Sequence, residues 1–149
     1  MEKLNLFSVE NAGRVDIGAA LGSKDTTMFL YDVRPGGSSS PYHYEFEEEW
    51  LLVVAGTVAV RVPEGELTLE RGDLVCFPPG AAGAHKVMNR TDSPARIVFF
   101  SKATESGFSV YPDSNKIGVW TGEDDDGLFF DLGSTISWAD GEEGYENAE

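Results

Sequence analysis

The chain has 149 residues, enough for one domain that buries about two-thirds of its unfolded surface without a disulfide or metal staple. It carries 26 acidic against 11 basic residues, a formal charge of −15, and such a surface repels nucleic acid and anionic membrane. No apolar run approaches the ~18 residues of a membrane span, and the opening MEKLNLFSVE lacks the basic start and apolar core of a signal peptide. The single cysteine, Cys76, excludes an intrachain disulfide, and its place in the apolar run LVCF reads as a buried structural thiol. A cytoplasmic location is the expectation.

Met1 to Glu10 has weak periodicity and reads as a short leading strand or an arm. Val15 to Leu21 and Thr26 to Val33 read as strands, with a turn at Gly22 to Asp25. Pro35 to Pro41 is a loop. Tyr42 to Glu45 resumes an extended chain, and Trp50 to Val54 is a buried strand. Gly56 and Thr57 turn tightly into Val58 to Val62, where apolar residues alternate with small or polar ones. Pro63 to Glu66 is a hairpin turn before Leu67 to Leu69, and Arg71-Gly72-Asp73 turns again. Leu74 to Phe77 is a strand closed by Pro78-Pro79-Gly80, and Ala81 to Ala84 is a loop. His85 to Met88 is a short strand, Asn89 to Pro94 a turn, and Ala95 to Ser101 a strand.

Beyond that point Phe108 to Tyr111, Ile117 to Trp120, Leu128 to Asp131 and Ile136 to Trp138 are short strand candidates. The acidic stretches Glu123 to Asp126 and Asp140 to Glu149 read as a solvated loop and a flexible tail. No long stretch shows a helical period, and no helix-turn-helix is present. Many short strands separated by Gly/Pro turns make an all-β sandwich or barrel, one domain over residues 1–139.

The chemistry concentrates in Gly37 to Gly56. Here His43, Glu45 and Glu49 precede an apolar run. The chain's other histidine, His85, follows the turn-rich FPPGAAGAH. His43 and Glu45 are two apart and share a face if the stretch is extended. Glu49 joins them only if the chain bends before the next strand, and His85 only if the barrel closes. Two imidazoles and two carboxylates suit a borderline or hard divalent ion such as Zn, Fe(II), Mn or Ni. The carboxylates would offset the ion's charge and weaken it as a Lewis acid. Gly56 and Gly72 are expected at turns of positive φ, and Asn89 is expected to bond a neighbouring turn. Tyr42, Tyr44, Trp50, Phe77, Phe99, Arg34 and Arg61 are candidate pocket residues, although by alternation about half of them face outward and Tyr44 points away from the metal.

Residues Gly37 to Asn89 resemble the cupin superfamily in its compact single-domain form. The first cupin motif is matched in spacing by Gly37, His43, Glu45, Glu49 and Gly56, with Glu45 where the family usually has its second histidine. The second motif is matched in residue type by Gly72, Pro78, Gly80, His85 and Asn89, with two extra residues between Gly80 and His85. The resemblance implies a jelly-roll β-barrel of about six to eight strands with one metal inside. His43, Glu49 and His85 would be ligands, and Glu45 a substitute ligand. It also implies a small metalloenzyme, dioxygenase-like or isomerase-like, acting on a small oxygenated substrate such as a hydroxy acid, keto acid or sugar derivative. An alternative is a non-catalytic cupin that binds a sugar or organic acid at a degenerate metal site. A homodimer is expected, since cupins commonly pair through edge strands, and Met1 to Leu21 could supply one.

Overall fold

The computed structural model of the chain describes residues 2–10, 13–121 and 127–142. Among the described residues, twelve strands run in the order β1 (Val15–Asp16), β2 (Thr26–Val33), β3 (Tyr44–Glu45), β4 (Glu49–Ala55), β5 (Thr57–Val62), β6 (Gly65–Glu70), β7 (Leu74–Phe77), β8 (Lys86–Met88), β9 (Ala95–Lys102), β10 (Gly107–Tyr111), β11 (Lys116–Trp120) and β12 (Leu128–Asp131). They form sheets of order β1-β2-β9-β4-β7, β12-β11-β10-β3 and β6-β5-β8. The fold is an all-β jelly roll, as the strand pattern and motifs imply. No helix among the described residues is long and apolar enough to cross a membrane.

Alternation sorts the core into two layers. On β4, Leu51 and Val53 point into the barrel and Leu52 and Val54 point out. Leu51, Val60, Val87 and Ile97 are fully buried in the interior cluster with Phe77 and Phe99. Each such side chain contributes about 1.5–3 kcal/mol of burial free energy. The outer face of the large sheet is covered by Ile17 and by Leu4, Leu6 and Val9 of the N-terminal stretch, which pack on Leu30, Val54 and Val98. Met1 lies outside the described residues, and residues 2–10 are an arm rather than a strand. Arg96 clips this arm down. Its guanidinium donates to the carbonyls of Leu6 (2.5 Å) and Val9 (2.9 Å) while it pairs with Asp32.

Three expectations change. Val15 to Leu21 is a two-residue strand followed by one helical turn, Ile17–Ala20. Asp16 caps that turn by accepting from the Ala19 N–H at 2.8 Å, and the local bond outweighs strand propensity. Ile136 to Trp138 is not a strand. Ser137 N–H bonds to the Asp140 carboxylate in a turn, and Ile136 and Trp138 are exposed and lie outside the sheets of the described residues. Cys76 is half-exposed on β7 rather than buried, since Phe77 takes the inward position there. Its thiol is still a poor nucleophile, because partial burial and the neighbouring Glu48 carboxylate push its pKa up. The acidic stretch at 123–126 and tail residues 143–149 lie outside the described residues.

The turns that frame the site follow their chemistry. Gly56 and Gly72 have φ of 79° and 95°, the left-handed region that favours glycine. The buried Asn89 amide donates to the Val33 and Ser93 carbonyls, each at 2.8 Å, and its oxygen accepts from Thr91. It thus staples the end of β2 to the turn before β9.

Candidate metal centre

The two halves of the site meet through the backbone. His43 and His85 form an isolated antiparallel bridge, with His43 N–H donating to His85 O at 3.1 Å and His85 N–H to His43 O at 2.8 Å. Residues opposed in such a bridge send their side chains to the same face. The ring centroids accordingly lie 4.8 Å apart. This is the closure that the two distant motifs required. The chain bends at Phe46 and Glu47 between β3 and β4, which brings Glu49 around to the same point.

Backbone carbonyls orient both imidazoles. His43 Nδ1 lies 3.0 Å from Pro41 O and His85 Nδ1 lies 2.9 Å from Gly83 O. A carbonyl only accepts, so each Nδ1 carries hydrogen, which leaves Nε2 as the atom of each ring free to turn toward a ligand. Burial, then the neighbouring His85, holds His43 below the usual imidazole range, so it is neutral at pH 7. The His85 ring is sandwiched in place, stacked on Phe77 at 3.8 Å between centroids and flanked by Phe99 at 5.7 Å.

The third member is Glu49. Its Oε2 lies 3.1 Å from His85 Nε2, an ion-pair distance, yet both buried atoms lack a hydrogen-bond partner. The orphaned state is the informative one. With hydrogen on Nδ1 alone, the facing atoms would present two lone pairs to each other, which would be costly in a buried site. A cation bound by both relieves it. One ligand atom from each of His43, Glu49 and His85 lies within 4.8 Å of the others. The donor set, two imidazole nitrogens and one carboxylate, fits a divalent transition ion with coordination positions to spare.

Glu45 stands beside this set rather than within it. Its Oε1 is 3.8 Å from His43 Nε2 and accepts the Ser109 hydroxyl at 3.1 Å. Ser109 is its cross-strand partner on β10. Burial, then the charge of Glu49, pushes the Glu45 pKa up to about 7. The fold therefore favours protonated Glu45. Its contribution to stability is full below the ordinary carboxyl value of 4.5 and is lost as pH rises through about 7. Metal-free protein is expected to lose of order 1–3 kcal/mol between about pH 5 and pH 8 by this route. Urea unfolding of wild type and Glu45→Gln at the two pH values measures it, and equal slopes with pH would remove the assignment.

The site opens into a cavity of about 890 Å³. Of the aromatic and basic residues expected to line it, Phe99 does. Phe77 lies behind His85. Tyr42 is covered by the Arg61 guanidinium at 3.8 Å, and Arg61 pairs with Asp113. Trp50 stacks on Phe100 at 6.1 Å, and Tyr44 packs edge-on against Phe46. Arg34 lines a separate hollow near Arg96. The wall instead carries Arg14, Phe29, Tyr31, Ser109 and Tyr111. Alternation on β2 was the available signal for two of these, because Phe29 and Tyr31 are in phase with the inward Val33.

Comparison with known proteins agrees with the fold. The cupin domain family model matches residues 29–101, which contain all four of the expected ligands. The chain is 32% identical over 81 residues to the tetracenomycin polyketide synthase protein TcmJ of Streptomyces glaucescens, a match covering 54% of this chain and 53% of that protein. It thus spans about half the length of this curated relative. A solved sugar phosphate isomerase of the cupin superfamily from Silicibacter pomeroyi superposes with a TM-score of 0.77 at 27% identity, covering 93% of this chain and 98% of that one. A proposed sugar phosphate isomerase from Acidithiobacillus ferrooxidans gives a TM-score of 0.74 at 24% identity, covering 83% and 78%, and speaks for the fold alone. With its two motifs joined at one bridge inside a jelly roll, the chain belongs to the cupin superfamily.

Proposed function

We propose that the protein is a metal-dependent isomerase that moves a proton between adjacent carbons of a small hydroxy-carbonyl compound. The observation that carries this reading is the convergence of His43 Nε2, Glu49 and His85 Nε2 on one point of an open cavity, with Glu45 alongside. His43, Glu49 and His85 would hold the ion, and Glu45 is the fourth group of the proposed set. A bound divalent ion supplies Lewis-acid polarisation of a carbonyl or hydroxyl oxygen. The Glu45 carboxylate takes the proton from the carbon beside the carbonyl, and the C–H electron pair moves into the carbon–carbon bond. The carbonyl π pair moves onto oxygen, the hydroxyl proton passes to that oxygen, and Glu45, its proton exchanged with solvent, reprotonates the neighbouring carbon. Nothing is oxidised overall, so no co-reactant is needed. The likeness to the Silicibacter isomerase along nearly the whole chain supports this choice.

A second reading, dioxygenase-like, is favoured by the donor set itself, since two histidines and one carboxylate with free positions also suit Fe(II) and dioxygen. One experiment separates the two. Protein purified without added metal is assayed for bound metal, loaded with Mn or Fe(II), and incubated with short hydroxy-ketones and hydroxy-aldehydes in D2O. Deuterium entry at carbon without oxygen uptake is the expected result. Oxygen uptake would transfer the assignment to the dioxygenase. Bound metal with neither activity would leave a binding protein, the alternative that Glu45 in a histidine position suggests. In Glu45→Gln, loss of exchange with metal retained marks Glu45 as the base, whereas loss of metal marks it as a ligand.

A further inference from the structure

The basic part of the same cavity wall is organised in a way that the metal centre does not explain. Arg14 lies just ahead of β1, whose pairing with β2 sets Val15 opposite Leu30 and Asp16 opposite Phe29. That register brings the Arg14 guanidinium onto β2. It lies 4.0 Å over the Phe29 ring, and its Nε donates to the Tyr31 hydroxyl at 3.2 Å. Arg61, Arg90 and Arg96 each pair with a carboxylate, but among the described residues none pairs with Arg14. This holds although Asp16, Glu45, Glu47, Glu49 and Glu105 line the same cavity. Its terminal N–H groups are therefore uncommitted, and the planar fork is held by a stack at one face and a hydrogen bond at one edge. The Tyr31 oxygen accepts from Arg14, so its own hydrogen is available to a further acceptor. Tyr31 in turn packs edge-on against Phe99, the ring that flanks His85, at 5.8 Å. The arrangement thus runs continuously from Arg14 to the metal centre.

We propose that Arg14 and Tyr31 form an anion subsite that takes the carboxylate or phosphate of a substrate whose oxygenated end sits at His43, Glu49 and His85. The assignment of the two ends rests on the proposed function. The anion subsite itself requires no metal. A guanidinium left unpaired in a chain of net charge −15 would be the point where an anionic substrate overcomes the general repulsion of the surface. The fork geometry suits two oxygens of one anionic group, with the Tyr31 hydroxyl as a third contact.

The test is calorimetric titration of the metal-free protein with inorganic phosphate and, separately, with malonate. Wild type is expected to bind at least one of them. Arg14→Gln should weaken that binding by about tenfold or more, Arg14→Lys by less, and Tyr31→Phe by a few-fold. Arg61→Gln, a surface arginine outside the cavity, should leave it unchanged. The stronger of the two probes identifies the anionic group. The proposal is overturned if wild type binds neither anion, or if Arg14→Gln, melting like wild type, binds both as well as wild type does. Arg14-dependent anion binding in a protein that takes up no divalent ion would overturn the metal reading and leave this one standing.

Discussion

Replacing His85 by alanine is expected to lower divalent metal affinity on the order of 100-fold or more, since loss of an outer-sphere partner alone costs about 10–100-fold. His85 supplies one of the three converging donor atoms and is 1% exposed, so water cannot take its place without a cavity opening behind it. The substitution leaves the backbone bridge to His43 in place, because both of its hydrogen bonds are made by main-chain atoms. His85→Gln, which keeps more of the side-chain volume against Phe77, guards against reading a folding defect as a lost ligand. Metal content by elemental analysis, with thermal melting of each variant, gives the answer. Undiminished occupancy in both variants would show that the two motifs do not share an ion.

The second large effect is expected at Gly83, a position with no metal-binding side chain. A Cβ built there would lie 1.8 Å from the Pro78 carbonyl oxygen, an overlap that no rotamer can relieve. Gly83→Ala must therefore displace the turn at Ala81–Gly83 or the Pro78 backbone. A cost of about 2–4 kcal/mol is expected, a fall of roughly 5–15 °C in Tm. Gly83 O is also the acceptor that holds hydrogen on His85 Nδ1. Moving it loosens the ring and its tautomer, so metal affinity should fall by about 10–100-fold as well. A variant that melts early but binds metal normally would break the link between this turn and the imidazole.

Much of the site was legible before any coordinates, and the reason is local. His43 and Glu49 are tied to one stretch of chain, and glycines, prolines and Asn89 punctuate the turns around His85. Strands β2, β4, β5, β7 and β9 could be read because their apolar residues alternate or run together over several positions. What failed has a common cause. The helical turn at Ile17–Ala20 carries a cap from Asp16, and the exposed turn around Ser137 is built from local bonds between residues 137 and 140. Neither leaves a periodic trace. The pairing of Glu45 with Ser109, on a strand more than sixty residues later, is a tertiary fact that motif spacing does not carry. Arg14 and Tyr31 were overlooked because motif spacing is silent about residues that reach the cavity from outside the motifs. The pocket guesses built on Tyr42, Trp50 and Arg61 failed by the single-residue phase that decides which face of a strand a side chain occupies.

The bridge between His43 and His85 has one more consequence. Because the main chain sets the spacing of the two rings and Phe77 and Phe99 hold one of them, the nitrogen donors of the proposed site are in place without an ion. Uptake of an ion would then require its dehydration and little ordering of the polypeptide. Chelators should strip the ion and leave a fully folded barrel, unlike small domains whose architecture dissolves with their zinc.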